Sequence, residues 1–329
     1  MTERNIVVGI DGGGTNTRVM ICDMNGNELA YAEGGCASKY KDVNAAENVK
    51  ATIKDALAVA GRDTTDVAAL VAGIAGYDSE ADDAWIPAFT DLLGLDCPKL
   101  HLNDSDVAHA GALQNQPGII AIAGTGTMVM GINEYGTRTR NLDYCHYSYS
   151  AARHLAYDAV YEVLAGHSDD SNEGLIAQML QHWKTNSLEQ LQELARRGFE
   201  PDTMKRDQHF GQFAPCVTAA AEQGSSIARN VCNRAVEQLR LGIELVGSNF
   251  AERSLDVVLI GSVICSPYMR SKLTELLMAN PLKQYRVVEP LFPPVVGAIL
   301  LAYKELGIPL QNLRQGSFSK LRLTQKQLE

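Results

Sequence analysis

A chain of 329 residues, 46% hydrophobic and 21% charged, has the make-up of an ordinary globular protein, and its length suggests about two domains. A formal charge of −10 argues against nucleic acid or an anionic membrane as the main partner, so an anionic ligand would need local basic help. Seven scattered cysteines without a CxxC pair read as reduced thiols of a cytoplasmic protein, no apolar run reaches the ~18 residues of a membrane span, and the opening MTERN lacks a signal-peptide core.

The stretch 6–23, IVVGIDGGGTNTRVMICD, sets the terms for the rest. An apolar run ends in Asp11, Gly12, Gly13, Gly14 and Thr15, and a second extended segment follows before Asn25-Gly26, a strong local hairpin signal. The glycines can take positive φ and carry no Cβ, so backbone N–H groups can approach an anion, with Thr15 and Thr17 as hydroxyl donors. The same glycines serve equally well as a plain turn. The dinucleotide fingerprint would need a glycine where Thr17 stands and a helix straight after, and the P-loop would need Gly-Lys-Ser/Thr; both are excluded.

Helical spacing marks 43–60, a short apolar strand marks Val67–Ile74, and 85–93 reads as an amphipathic helix. Lys99–Leu102 is a strand leading into Asn103-Asp104-Ser105-Asp106 and a helix over 107–113. Asp104 is thereby placed at a strand end before a helix, where α/β folds hold their chemistry, although an Asp there also serves as an N-cap. Asp106 reads as a second polar site residue or as a helix-start charge. The strand Gly118–Ala123, the turn Gly124-Thr125-Gly126-Thr127 and a strand over 128–132 then repeat the opening device, with Ala123 standing where Asp11 stood.

Helices are expected over 151–164, 172–195, 213–223 and 227–250, a strand over 255–260 ending in Gly261-Ser262, and a helix over 268–277. A strand over 287–291 and a small-residue helix to Leu306 complete the core, and the tail 311–329 is polar and basic. Three tyrosines, Tyr144, Tyr147 and Tyr149, read as a stacking surface for a sugar or as packing.

GIDGGGTNTR, AGIAGYD, LNDSDVAHAGA, IAIAGTGTM, LIGSVICS and VVGAILLAYKELG, in this order over residues 5–308, resemble the acetate and sugar kinase, Hsp70 and actin superfamily. Within it the chain is most similar to the BadF/BadG/BcrA/BcrD ATPases and N-acetylglucosamine kinases. The resemblance implies an α/β protein of two duplicated RNase H-like, actin-like ATPase domains with a nucleotide cleft between them. The domains would be 1–116 and 117–310, with 311–329 as a tail that returns to the first domain as a helix or stays frayed.

The activity implied is ATP-dependent transfer of the γ-phosphate to a hydroxyl of an amino sugar such as N-acetylglucosamine, with Asp104 as general base and Asp11 holding Mg²⁺. Gly12, Gly13, Gly14, Thr15, Asn16, Gly124, Thr125, Gly126 and Thr127 would bind the phosphates, and Gly261, Ser262 and Ser266 the adenosine. Ser38, Gly76, Asn103, Asp104, Thr127 and Asp143 would contact the sugar. The expected partners are a sugar substrate and a second copy in a homodimer, without nucleic acid or membrane. The chain departs from the amino-sugar kinases at 140–150, RNLDYCHYSYS, where a GGWG…GDEGS segment is usual. That departure leaves a catalytically silent nucleotide or sugar sensor as one alternative. The other, an activator of 2-hydroxyacyl-CoA dehydratase, would need cysteines in a glycine-flanked loop to hold an iron–sulfur cluster.

Overall fold

The computed structural model describes residues 4–309 and divides into two compact units, one of residues 4–116 with 289–309 and one of 117–288. In the first unit the strands are β1 (Ile6–Gly12), β2 (Thr17–Asp23), β3 (Glu28–Gly34), β4 (Val67–Ile74) and β5 (Lys99–Leu102). Its helices are α1 (Ala45–Ala60) and α2 (Asp104–Leu113). In the second unit the strands are β6 (Gly118–Ala123), β7 (Thr127–Ile132), β8 (Arg138–Arg140), β9 (Ser254–Ile260) and β10 (Gln284–Val288). Its helices are α3 (Ala152–Leu164), α4 (Glu173–His182), α5 (Leu188–Arg196), α6 (Thr203–Gln223), α7 (Ser226–Gly247) and α8 (Pro267–Met278). α9 (Pro294–Glu305) closes the described chain and returns to the first unit.

The first sheet runs β3-β2-β1-β4-β5, and the second, read from its other edge, runs β8-β7-β6-β9-β10. In each, a hairpin pairs the first two strands antiparallel and the fourth strand returns parallel beside the first. The two units are thus one topology used twice, the duplication implied by the resemblance.

β1 is buried along its whole length, as expected of a central strand covered on both faces. Its alternation assigns the two faces: Ile6, Val8 and Ile10 pack with Val49, Ile53 and Ala56 of α1, whereas Val7 joins Val107 of α2 and Val295, Ile299 and Tyr303 of α9. This explains why 289–309 lies with the first unit, whereas the resemblance implies a second domain of 117–310. Gly297 lets α9 meet α2 backbone to backbone, since a Cβ there would overlap the Val107 carbonyl. The tail 311–329 lies outside the described residues.

Several elements differ from expectation for local reasons. The stretch 85–93 forms only a 3-10 turn, Ile86–Phe89, with Pro87 inside it, although Ile86, Phe89 and Leu92 still reach the core. The expected helix 172–195 is two helices, α4 and α5, separated by Lys184 in the left-handed region and restarted by the Ser187 cap. α6 begins ten residues before the expected 213, because Asp202 caps it by accepting from the N–H groups of Met204 and Lys205. β10 pairs with β9 over Gln284–Val288, upstream of the expected 287–291, and β8 had no signal.

Candidate active site

In the first unit the expected site residues gather where β1, β4 and β5 end. None of the three glycines of the opening turn has positive φ, and close approach constrains Gly12 most. A Cβ on Gly12 would stand 2.8 Å from both Ala37 Cβ and Ile74 Cδ1, and one on Gly13 would stand 3.1 Å from Asn16 O. Gly13 N–H donates to Asn16 O (2.9 Å) and so closes the turn, and Thr17 Oγ1 donates to Gly35 O (2.6 Å). Gly13 and Thr17 therefore spend their donors on structure. The N–H groups of Gly14, Thr15 and Asn16 have no acceptor among the described residues. They are the donors such a turn can offer to an anion.

Asp11, 5% exposed, sits opposite Arg18 in the β1–β2 ladder and accepts from its guanidinium at 3.1 Å. Burial pushes its carboxyl up, and Arg18 opposes that rise. The one signal for Arg18 in the sequence is its i,i+7 position across a tight hairpin.

Asn103, buried, is the N-cap of α2 and Asp104 is the first helical residue, which resolves the alternative reading of Asp104 as a cap. The Asn103 side chain is fully engaged: its oxygen accepts from Ser105 N–H (2.9 Å) and Oγ (2.6 Å), and its amide donates to Tyr77 O and Asp78 Oδ1 (both 3.1 Å). Asp106 closes the capping box on Asn103 N–H (3.2 Å), so it is the helix-start charge of the two readings. Asp104 is left with its carboxylate uncommitted to a cap. It is pushed up to about 7, by burial first and then by the charges of Asp11 and Asp78, against the pull of the Ser105 N–H. A carboxyl with that affinity for a proton can accept one at neutral pH.

Gly76 adopts φ +87°, and a Cβ there would stand 2.9 Å from the Tyr40 ring and 3.9 Å from Ser38 Oγ. Ser38 is buried and its carbonyl accepts from Lys41 N–H (2.9 Å) and Asp42 N–H (3.0 Å). Ala37 N–H donates to Gly13 O (3.0 Å), which ties this loop to the glycine turn. Asp82, also absent from the sequence reading, organises the neighbouring loop. It accepts from Trp85 Nε1, from the N–H groups of Asp78 and Ser79, and from Tyr40 OH, and these bonds, Trp85 foremost, hold its carboxyl below the usual range.

In the second unit the turn of residues 124–127 is built differently. Gly124 N–H donates to Gly126 O (2.9 Å) and Gly124 O accepts from Ala152 N–H at the start of α3 (2.8 Å). Thr125 and Gly126 are exposed, and no atom lies within 4 Å of where a Gly126 Cβ would stand. Thr127 Oγ1 lies 2.9 Å from Ser150 Oγ, and Arg153 reaches Thr125 O at 3.5 Å.

Gly261 (φ +108°) and Ser262 fold directly beneath this turn. The Ala123 carbonyl accepts from Val263 and Ile264 N–H (3.1 and 3.2 Å), and a Cβ on Gly261 would stand 2.5 Å from that oxygen. The two stretches expected to bind phosphate and adenosine are therefore neighbours within one unit. Ser266 is the N-cap of α8 but turns its hydroxyl to Val263 O (2.7 Å). Asp143 is exposed and committed to Arg140, accepting from its backbone N–H (2.8 Å) and guanidinium (3.1 Å). Tyr147 and Tyr149 are exposed, 6.3 Å apart by ring centroid.

Among the described residues no three His, Cys, Asp or Glu side chains cluster as a metal site. Asp11 alone is the expected carboxylate, which suits a cation that keeps most of its water and takes its other ligands from phosphate.

Residues 8–142 match the model of the BadF/BadG/BcrA/BcrD ATPase family. The N-acetyl-D-glucosamine kinase of Dictyostelium discoideum is 26% identical over 322 residues, covering 91% of this chain and 98% of that protein. The N-acetylmuramic acid/N-acetylglucosamine kinase of Clostridium acetobutylicum is 24% identical over 309 residues, covering 91% and 98%. Among solved structures, that of a candidate N-acetylglucosamine kinase from Chromobacterium violaceum superposes with a TM-score of 0.72 at 22% identity, covering 91% of this chain and 99% of that one.

Proposed function

We propose that this chain, whose residues 8–142 match the BadF/BadG/BcrA/BcrD ATPase model, is an ATP-dependent kinase that phosphorylates a hydroxyl of an amino sugar, N-acetylglucosamine first among the candidates. The observation that carries the reading is Asp104, a carboxyl pushed up to about 7 at the end of β5, in the field of Asp11 and Asp78 and in the same unit as the glycine turn.

A sugar hydroxyl is a weak nucleophile, and the chemistry needs a base that holds it in line and accepts its proton. Asp104 does this, with Asn103 and the Asp106 capping box fixing the turn that presents it. Gly14, Thr15 and Asn16 offer backbone N–H groups to the transferring phosphates, and Thr125 and Gly126 offer the counterpart in the second unit. Mg²⁺, when bound, neutralises charge on the phosphates, with Asp11 as its protein ligand, directly or through water. Ser38, Gly76 and Tyr40 lie together beside the turn and are the proposed sugar-facing surface of the first unit.

A homodimer is the expected assembly because two-fold pairing is the commonest closed symmetry. A reducing cytoplasm is the expected compartment because the seven cysteines are unpaired.

ADP release is the direct test, measured with N-acetylglucosamine, N-acetylmuramic acid, glucosamine and glucose, for the wild type and Asp104→Asn. We expect at least one amino sugar to stimulate release and the variant to lose that stimulation. If no sugar raises ADP release above the level of the variant, the kinase reading fails.

A further inference from the structure

We propose that Lys41 is a phosphate-binding residue of the first glycine turn, its ammonium contacting the terminal phosphates of bound ATP; the inference rests on the kinase reading above. The side chain lies along the turn, with Nζ 2.8 Å, Cε 3.6 Å and Cδ 3.8 Å from where a Cβ on Gly14 would stand. The charged end is thus nearest to the backbone whose N–H groups, those of Gly14, Thr15 and Asn16, have no acceptor among the described residues.

Neighbouring cations are already committed. Arg18 is paired with Asp11 at 3.1 Å, and Lys39 lies 3.7 Å from Asp82 and 4.0 Å from the Trp85 ring centroid. Lys41 makes no ion pair and no side-chain hydrogen bond among the described residues. The adjacent Asp42 is not its partner, because Asp42 accepts from Asn48 Nδ2 (2.9 Å) and Asn44 N–H (2.8 Å). An exposed lysine with no carboxylate to hold it, laid over a glycine turn, is a cation available to a ligand.

Charge balance favours such a group. Asp11, Asp78, Asp104 and Asp106 crowd this sheet end, and the chain carries a net −10, so a polyphosphate arriving here meets repulsion that a local ammonium eases. An ammonium serves as a compact point charge for phosphate. Its position is also secured, since Lys41 N–H donates to Ser38 O (2.9 Å), and Ala37 N–H and Cys36 Sγ bond to Gly13 O (3.0 Å) and Gly14 O (3.3 Å). The loop that carries Lys41 therefore moves with the turn it serves.

The test compares binding of ATP and of adenosine, each with Mg²⁺ and without sugar, to the wild type, Lys41→Ala and Lys41→Arg by calorimetry. Lys41→Ala should weaken ATP about tenfold while leaving adenosine unchanged, and Lys41→Arg should restore most of the loss. Added salt should narrow the gap between wild type and Lys41→Ala, because the pair is exposed. A loss of ATP affinity of less than threefold, or an equal loss for ATP and adenosine, overturns the inference and leaves the kinase reading standing. A wild type that binds no ATP overturns both.

Discussion

The two glycine turns occupy the same place in the same topology, between the first and second strands of each sheet, yet they are built from opposite materials. The first is crowded: Asp11 is buried against Arg18, Gly12 is glycine because neighbouring atoms leave no room, and a Cβ on Gly13 would press on Asn16 O. The second is open: Ala123 stands where Asp11 stood, its carbonyl clamps the 261–264 turn, and Gly126 faces empty space. The acids that raise Asp104, which are Asp11, Asp78 and Asp106, belong to the unit of the first turn. Duplication supplied two glycine turns in one topology, and the side chains around them made the first crowded and acidic and the second open.

The largest effect that sharpens this contrast is at Asp104. Asp104→Asn should lower the sugar-stimulated turnover by about 10²–10⁴-fold with little change in ATP affinity, as expected for loss of a general base. A variant within tenfold of the wild type would remove Asp104 from that role. The pH profile of wild-type kcat/KM should rise on a limb near 7, the value to which the free carboxyl is pushed.

The same residue makes a stability prediction of opposite sign. Between about pH 4 and 7 the folded chain binds a proton at Asp104 that the unfolded chain has released, so stability falls as pH rises through that window and the penalty is complete above 7. Asp104→Asn should therefore be more stable than the wild type at pH 8, by about 2–4 kcal/mol for a shift of this size, and equal to it near pH 4. Chemical denaturation at both values decides it. An equal difference at the two pH values would contradict the electrostatic account.

The turns themselves should respond unequally to an added methyl. Gly12→Ala must displace Ala37 or Ile74 and should cost about 1–3 kcal/mol, whereas Gly126→Ala should stay within about 0.5 kcal/mol. Equal melting shifts for the two variants would erase the distinction between a crowded and an open turn. The smallest effect is expected at Asp143. Because its oxygens are held by Arg140, Asp143→Asn should change the KM for sugar by less than about twofold, measured in the same ADP assay. A rise of tenfold would place the carboxylate on the sugar.

Much of this was legible in the residues. The hairpin at Asp11, its echo at Gly124, and Asp104 at a strand end all follow from short-range rules: apolar runs make buried strands, glycine-rich turns join them, and a polar residue at the strand end opens a helix. The segment of residues 172–195 shows where such rules stop, since periodicity continues across Lys184 while the backbone does not. So does 85–93, where the apolar residues reach the core through a 3-10 turn held by the Asp82–Trp85 bond.

What the sequence determined by itself was most of the strands, the doubled glycine device and the candidate residues for phosphoryl chemistry, because these are set by neighbours within a few positions. Only the tertiary structure decided which of those residues remain free to act. Thr17, Gly13 and the Asn103 amide are spent on holding the fold, Asp143 is held by Arg140, and Lys41 is left uncommitted beside Gly14. The reason is physical: a donor or a charge is available to a ligand only when no partner in the fold satisfies it. Those partners, such as Gly35 for Thr17 or Tyr77 for Asn103, come from other strands and loops, 18 and 26 positions away in the chain.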